Sequence, residues 1–186
     1  MSNWTRRSFV AAAGCGLAAC TSRAPDPSGE RGRIDSAVDR AVSELYQTVP
    51  GAQELGARSQ GLLIIPQIRK AGFFASGAYG EGALIIGPAK VEYYSLSSAG
   101  FGFTFGAAEY NQALFFLTSQ SLQDFRLADG WQLGAGAAVT VPRAGGASAG
   151  IDSTRINRPI VEVVFGQRGL IADASFVGAK YSRIVR

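Results

Sequence analysis

Residues 61–86, GLLIIPQIRKAGFFASGAYGEGALII, constrain the fold more than any other part of this 186-residue chain. Residues 62–65 are branched and continuously apolar, the pattern of a strand buried on both faces. Pro66 cannot donate a hydrogen bond to a ladder, so it belongs at a strand end, on an edge or at a bulge. Gly72, Gly77, Gly80 and Gly82 then stand on either side of Phe73, Phe74 and Tyr79, where bare backbone permits turns and close approach of strands. The stretch predicts a bent hairpin. Glycines at 77, 80 and 82 could suggest a phosphate cradle, but Glu81 lies between two of them and the G-x-x-x-x-G-K-[ST] loop is absent. Their structural role is the better reading, with Glu81 as a buried or capping acceptor.

The flanking sequence supplies helices in front and strands behind. Ile34, Ala37, Val38, Ala41, Val42 and Leu45 recur at helical spacing, with Asp35, Asp39, Arg40 and Glu44 facing away. This helix mixes acid and base on its polar face and is aliphatic on the other, so it is expected against the core and not in a membrane interface. A short helix over 52–59 follows Pro50-Gly51. Residues 99–106 alternate bulky and bare positions as a strand does. A buried strand is predicted at 113–117 and a helix at 119–128, capped by Ser119 or Ser121. Another strand is expected over 131–141, a flexible loop over 144–150, and two strands at 160–165 and 170–177 joined by a tight turn at 167–169. The fold class is α+β: N-terminal helices packed on a curved, mainly antiparallel β-sheet with one inserted helix.

The first 19 residues read as an export signal and not as fold. Arg6-Arg7 stand just before an apolar run, 9–19, that is too short to span a bilayer. The pair resembles a twin-arginine signal, and Leu17-Ala18-Ala19-Cys20 resembles a lipobox, at which a lipoprotein precursor is cleaved before an acylated cysteine. On that reading Cys20 is the lipid attachment site, residues 20–33 carry the anchor and a flexible tether, and 34–186 form the domain. Residues 21–32, TSRAPDPSGERG, have the composition of such a tether. Without Arg6 and Arg7, 16 basic residues stand against 14 acidic ones, so the formal charge falls from +4 to +2. No long basic run remains to suggest nucleic acid.

Most enzyme chemistry lacks its parts. The chain has no histidine, hence neither the commonest neutral-pH base nor the commonest transition-metal ligand. On the lipoprotein reading Cys15 leaves with the signal and Cys20 is alkylated, which excludes a disulfide framework. Gly146-Ala147-Ser148-Ala149-Gly150 matches the nucleophile-elbow pattern, but it lies in a low-complexity loop without a histidine partner. The acids are scattered, with no metal-ligand spacing. The expectation is a protein that is not an enzyme, with no cofactor and no metal. What remains is anion and lipid recognition. Arg69 and Lys70 after the first strand, Arg155 and Arg158 around a loop, and Lys180, Arg183 and Arg186 near the end are the candidate phosphate contacts.

One family resemblance spans residues 34–186. Pro66-x-x-x-Lys70-Ala71-Gly72-Phe73, Gly80-Glu81-Gly82, Tyr93-Tyr94-Ser95, the segment 102–106 with Glu109, Trp131-x-Leu133-Gly134, Gly169-Leu170-x-Ala172 and Gly178 together resemble the SYLF domain. That resemblance implies non-enzymatic binding of membrane lipids, phosphoinositides in the eukaryotic members. For an exported, lipid-anchored envelope protein facing the periplasm, it implies another anionic lipid such as phosphatidylglycerol or cardiolipin. Thr21 after the acylated cysteine tilts the expected location towards the outer membrane. The eukaryotic members use a basic amphipathic N-terminal segment, whereas an acid-rich helix stands here. The competing reading is a structural or protein-interaction module of the envelope, for which an exposed patch of Phe101, Phe103 and Phe105 would be the sign. An outer-membrane barrel is disfavoured by the leading helix and the anchor.

Overall fold

The apolar stripe that begins at Ile34 forms one side of a long helix. In the computed structural model, which describes residues 27–128, 130–132, 138–140 and 158–186, helix α1 spans Pro27–Thr48. Ile34, Val38, Ala41 and Leu45 are buried along it. Each large aliphatic among them stabilises the fold by roughly 1.5 to 3 kcal/mol through removal from water. The helix starts seven residues before the expected domain boundary at residue 34. Pro27 carries the backbone angle of a first helical turn and loses no hydrogen bond there, and Glu30 complements the helix dipole. Residues 27–33, expected as tether, are therefore helix. Gly51, at φ 84°, turns the chain into α2, Ala52–Arg58, where Ala52 and Leu55 are buried.

Three strands of unusual length follow: β1, Gly61–Ile86; β2, Ala89–Phe116; and, after helix α3 at Ser119–Leu127, β5 at Ile160–Ile184. Among the described residues two short strands also join the sheet, β3 at Trp131–Gln132 and β4 at Ala138–Thr140. The path is β1-β2-β5-β3, with β4 also on β5. Every pair is antiparallel except β4 with β5. The architecture is thus α+β, with helices on a mainly antiparallel sheet and one helix inserted between strands.

The predicted break points are not turns. Residues 61–86 make no internal hairpin, since both halves of β1 pair continuously with β2 and the turn comes only at Gly87, φ 58°. Likewise the strands expected at 160–165 and 170–177 are one strand. Gly166 and Gly169 take positive φ within β5 and bend it without ending it. Glycine in a strand marked irregularity correctly, but a third strand alongside turned each predicted turn into a bend.

The bend in β1 folds the strand onto itself. A methyl group at Gly82 would fall 1.8 Å from the carbonyl oxygen of Ile64, and one at Gly80 would fall 2.8 Å from side-chain carbons of both Ile65 and Ile68. Only glycine lets the two halves lie this close. Away from residues 69–77 and 97–107 the folded ribbon buries both of its faces. On one face α1 and α2 cover Leu62, Ile64, Ala83, Tyr93, Phe115 and Val163. On the other, α3 places Leu122 and Phe125 against Leu63, Ile65, Leu84, Leu96, Leu114 and Tyr181. Thr118, and neither Ser119 nor Ser121, caps α3, its hydroxyl oxygen accepting from the backbone N–H of Ser121 at 3.1 Å. The Glu92 carboxylate ties α3 to the sheet by accepting from Arg126 at 2.9 and 3.1 Å.

Candidate functional site

Pro66 sits in the first half of β1, an edge strand, and cannot donate to β2. The chain yields at the next residue: Gln67 takes φ 52°, the left-handed region that a residue with a side chain rarely adopts. The β1–β2 register shifts between Ile65 and Ile68. Asn111 then replaces the lost ladder contact, its side-chain oxygen accepting from the Gln67 backbone N–H at 2.9 Å. Its amide donates to Glu44 of α1 at 3.1 Å. The β2–β5 register shifts between Glu109 and Asn111, and Gly166 of β5 turns to φ 62° at the same level. A methyl group at Gly166 would lie 2.6 Å from both Asn111 and Glu44. Irregularities in all three long strands are thus aligned and pinned by one buried asparagine. Backbone held in a sparsely populated region is a marker of function when surrounding bonds enforce it.

A groove runs between α1 and the bulged strands. Two adjoining hollows, of about 240 and 320 Å³, share Ala37, Pro66 and Gln67. Four arginines from three elements line them, Arg33 and Arg40 of α1, Arg69 of β1 and Arg168 of β5, together with the carboxylates of Glu44, Glu81 and Glu109. Arg69, Glu109 and Arg168 stand opposite one another in register, on one face of the ribbon. Arg69 reaches Glu109 at 3.6 Å with its side chain 83 % exposed, so that pair is screened and weak. Glu81, in the lining of the second hollow with Tyr79, accepts from Tyr79 at 2.6 Å and from Arg186 at 2.5 Å. Burial first, then the bond to Glu81, raises the Tyr79 phenol to about 12, so it stays a neutral donor at any ordinary pH.

The structure divides the basic residues that the sequence singled out. Arg69 lines the groove, whereas its neighbour Lys70 is directed to the other face, as adjacent strand residues must be. Partial burial lowers the Lys70 ammonium from its ordinary value. Arg183 leans on Glu92 at 3.4 Å. Arg186 bridges Glu30 at 3.6 Å and Glu81 at 2.5 Å, clasping the chain end to α1 and β1. These two arginines are committed to internal ion pairs. Lys180 is exposed, in register with Ser97 and Tyr79, and its stem lies over Gly130, where a methyl group would be 2.2 Å from its Cε. Arg158 is exposed on the approach to β5. Arg6, Arg7, Cys20, Arg155 and Ser148 lie outside the described residues, as do the side chains of Phe101, Phe103 and Phe105.

Arg33, Arg40 and Arg168 escaped the sequence reading. Arg33, Ala37 and Arg40 fall at i, i+4 and i+7, a second helical stripe beside the buried one, and that spacing was the available signal. Arg168 was hidden inside a predicted turn. Among the described residues, no group of three or more histidines, cysteines or acids could hold a metal ion. None of the helices among those residues is long and apolar enough to cross a membrane.

A scan against protein-family models finds no match for this chain, and a search of curated proteins finds none either. The class that the geometry defines is therefore structural: an α+β domain with a folded three-strand ribbon and an arginine-lined groove between α1 and the bulged strands.

Proposed function

We propose that this is a SYLF-like, membrane-anchored lipoprotein domain that binds anionic phospholipid without catalysis, the arginine groove taking the headgroup phosphate. The observation that carries the reading is the convergence of Arg33, Arg40, Arg69 and Arg168 on one groove. Guanidinium groups offer planar paired donors that match phosphate oxygens. The two hollows together reach the size of a small-molecule site, about 300 Å³ upward, which suits a polyatomic headgroup better than a lone ion. Near an anionic surface each such cation contributes about 1 kcal/mol, and salt screens it. The sequence motifs from Pro66 to Gly178 support the family assignment, and the Cys20 lipobox supports an envelope location.

The test is co-sedimentation of residues 21–186, which hold every described element but not the anchor, with phosphatidylglycerol and phosphatidylcholine vesicles across a salt series. Binding to the anionic vesicles that weakens with salt supports the reading. Absence of binding to either would leave Cys20 as the only membrane contact and shift the function to a protein-interaction module.

A further inference from the structure

The three long strands are charged at their ends and almost bare of charge in the middle. Residues 71–80 of β1 and 93–108 of β2 contain no charged side chain, and between Arg168 and Lys180 of β5 there is only Asp173. The register lays these stretches side by side. In backbone register Phe73 pairs with Phe105 and that with Ala172, Ala75 with Phe101 and that with Phe176, and Gly72 with Gly106 and that with Ile171. The apex of the fold lies here, where the β1–β2 register slips between Phe73 and Ala75. From Ile68, where the two halves of β1 touch, five residues of strand carry the ribbon about 16 Å outward to Phe73 at ~3.3 Å per residue. Among the described side chains, none at 69–77 or 97–107 belongs to either core cluster. Phe73 is 67 % exposed.

We infer that this aromatic apex inserts into the interfacial layer of a lipid bilayer, an inference that rests on the lipid-binding reading above. Charge complementarity favours a membrane as the occupant: the row of Arg69, Glu109 and Arg168 borders the uncharged zone on one side and Lys180 borders it on the other. A tip poor in charge, bordered by Arg69, Arg168 and Lys180 with Glu109 the one acid among them, matches acyl chains under an anionic headgroup layer, where aromatic rings are at home. The position of the chain's beginning agrees. The first turns of α1 bring Arg33 and Ile34 into the same hollow as Arg69, Tyr79 and Gly80 at the base of the apex. Six residues separate Cys20 from Pro27, a reach of at most about 25 Å when extended, which lets an acylated Cys20 reach the level of the apex.

The full acylated chain carrying Phe73→Trp, reconstituted in phosphatidylglycerol or phosphatidylcholine vesicles with bromine on the upper acyl carbons, reports insertion directly. Val91→Trp, at an exposed position near the Gly87 turn, is the control, and the unsubstituted chain sets the background of the native tryptophans. Emission from Phe73→Trp should fall at least twofold in brominated phosphatidylglycerol while that from Val91→Trp holds. Equal quenching at the two positions overturns the inference. Anionic-selective sedimentation with an unquenched Phe73→Trp would remove insertion and leave the headgroup reading standing. Quenching of equal size in both lipids, without salt dependence, would support insertion and remove the anionic selectivity. A chain that self-associates through the apex in detergent and is unquenched in vesicles would also overturn the inference, with a second copy as the occupant.

Discussion

Replacing Gly82 with alanine tests the folded ribbon on which every other element depends. The new methyl would lie 1.8 Å from the Ile64 carbonyl oxygen and 2.8 Å from both the Ile64 carbonyl carbon and the Ile65 Cα. All three are backbone atoms of a paired strand, so no side-chain rotation relieves the contact. The halves of β1 must part by more than an ångström, which loosens Ile64, Ile65 and Leu84, each fully buried. Overpacking by a single methyl typically costs about 1 to 3 kcal/mol, and a rigid backbone partner places this site at the upper end or beyond. Gly80→Ala meets Cγ2 of Ile65 and Cγ1 of Ile68 at 2.8 Å and the Ile68 Cα at 3.3 Å, a less severe clash than a backbone oxygen at 1.8 Å, so about 1 to 3 kcal/mol is expected. Gly87→Ala has nothing within 4 Å and strains only a left-handed turn residue, at about 1 kcal/mol. At roughly 2 to 4 °C per kcal/mol for a domain of this size, thermal melts followed by circular dichroism should rank the variants Gly82 worst, Gly80 intermediate and Gly87 mildest. A Gly82→Ala variant no less stable than Gly87→Ala would refute the self-packed strand.

Further predictions concern the two acids held by the core. Glu162 is 7 % exposed, and burial raises its carboxyl above the ordinary range, an effect partly offset by the Gln112 amide that donates to it. The folded state therefore holds that proton more tightly than the unfolded chain. Its stability is highest below the unfolded carboxyl value of about 4.3 and falls as pH rises towards the folded value, by at most about 1.4 kcal/mol per unit. Glu162→Gln should flatten this slope in urea titrations from pH 4 to 8; parallel profiles would contradict it. Glu92 behaves oppositely, since its bond from Arg126 first, and that from Tyr94, hold it below the ordinary range against the cost of burial. Its contribution is present above the unfolded value and lost as pH falls through the lowered one, so Glu92→Gln should lose about 1 kcal/mol at pH 7, where Arg126 remains partly solvated, and little in acid. Phe125→Ala removes a fully buried ring with centroids 4.7 Å from Tyr94 and 4.9 Å from Phe116, and should cost about 3 to 5 kcal/mol in denaturant unfolding.

The helices and the strand character of the chain were legible because they depend on local periodicity. The stripe from Ile34 to Leu45 and the apolar run at 62–65 each found the burial their spacing implied. Pro66, expected at a strand end, on an edge or at a bulge, lies beside a register shift in the edge strand β1. What the sequence could not show was that Gly166, Gly169 and the glycines of 72–82 bend strands without ending them. That distinction depends on whether a neighbouring strand supplies continuous partners, a non-local fact. The groove was hidden for the same reason. Arg40 and Arg168 lie 128 positions apart, and only the stacked irregularities at Gln67, Asn111 and Gly166 bring them together. Arg183 and Arg186 were attractive as a terminal basic cluster, but Glu92 and Glu81 of the sheet and Glu30 of α1 pair with them.

The most direct test of the lipid-binding account is a comparison of two double substitutions by phosphatidylglycerol vesicle co-sedimentation at low salt. Arg40→Ala with Arg168→Ala removes two groove cations. At about 1 kcal/mol each, the partition coefficient should fall about 30-fold while binding to neutral vesicles is unchanged. Arg183→Ala with Arg186→Ala removes two cations already engaged by Glu92, Glu30 and Glu81 and should lower it far less. Equal losses from the two pairs would show that only net charge matters, and no loss from the first pair would contradict the groove as the headgroup site.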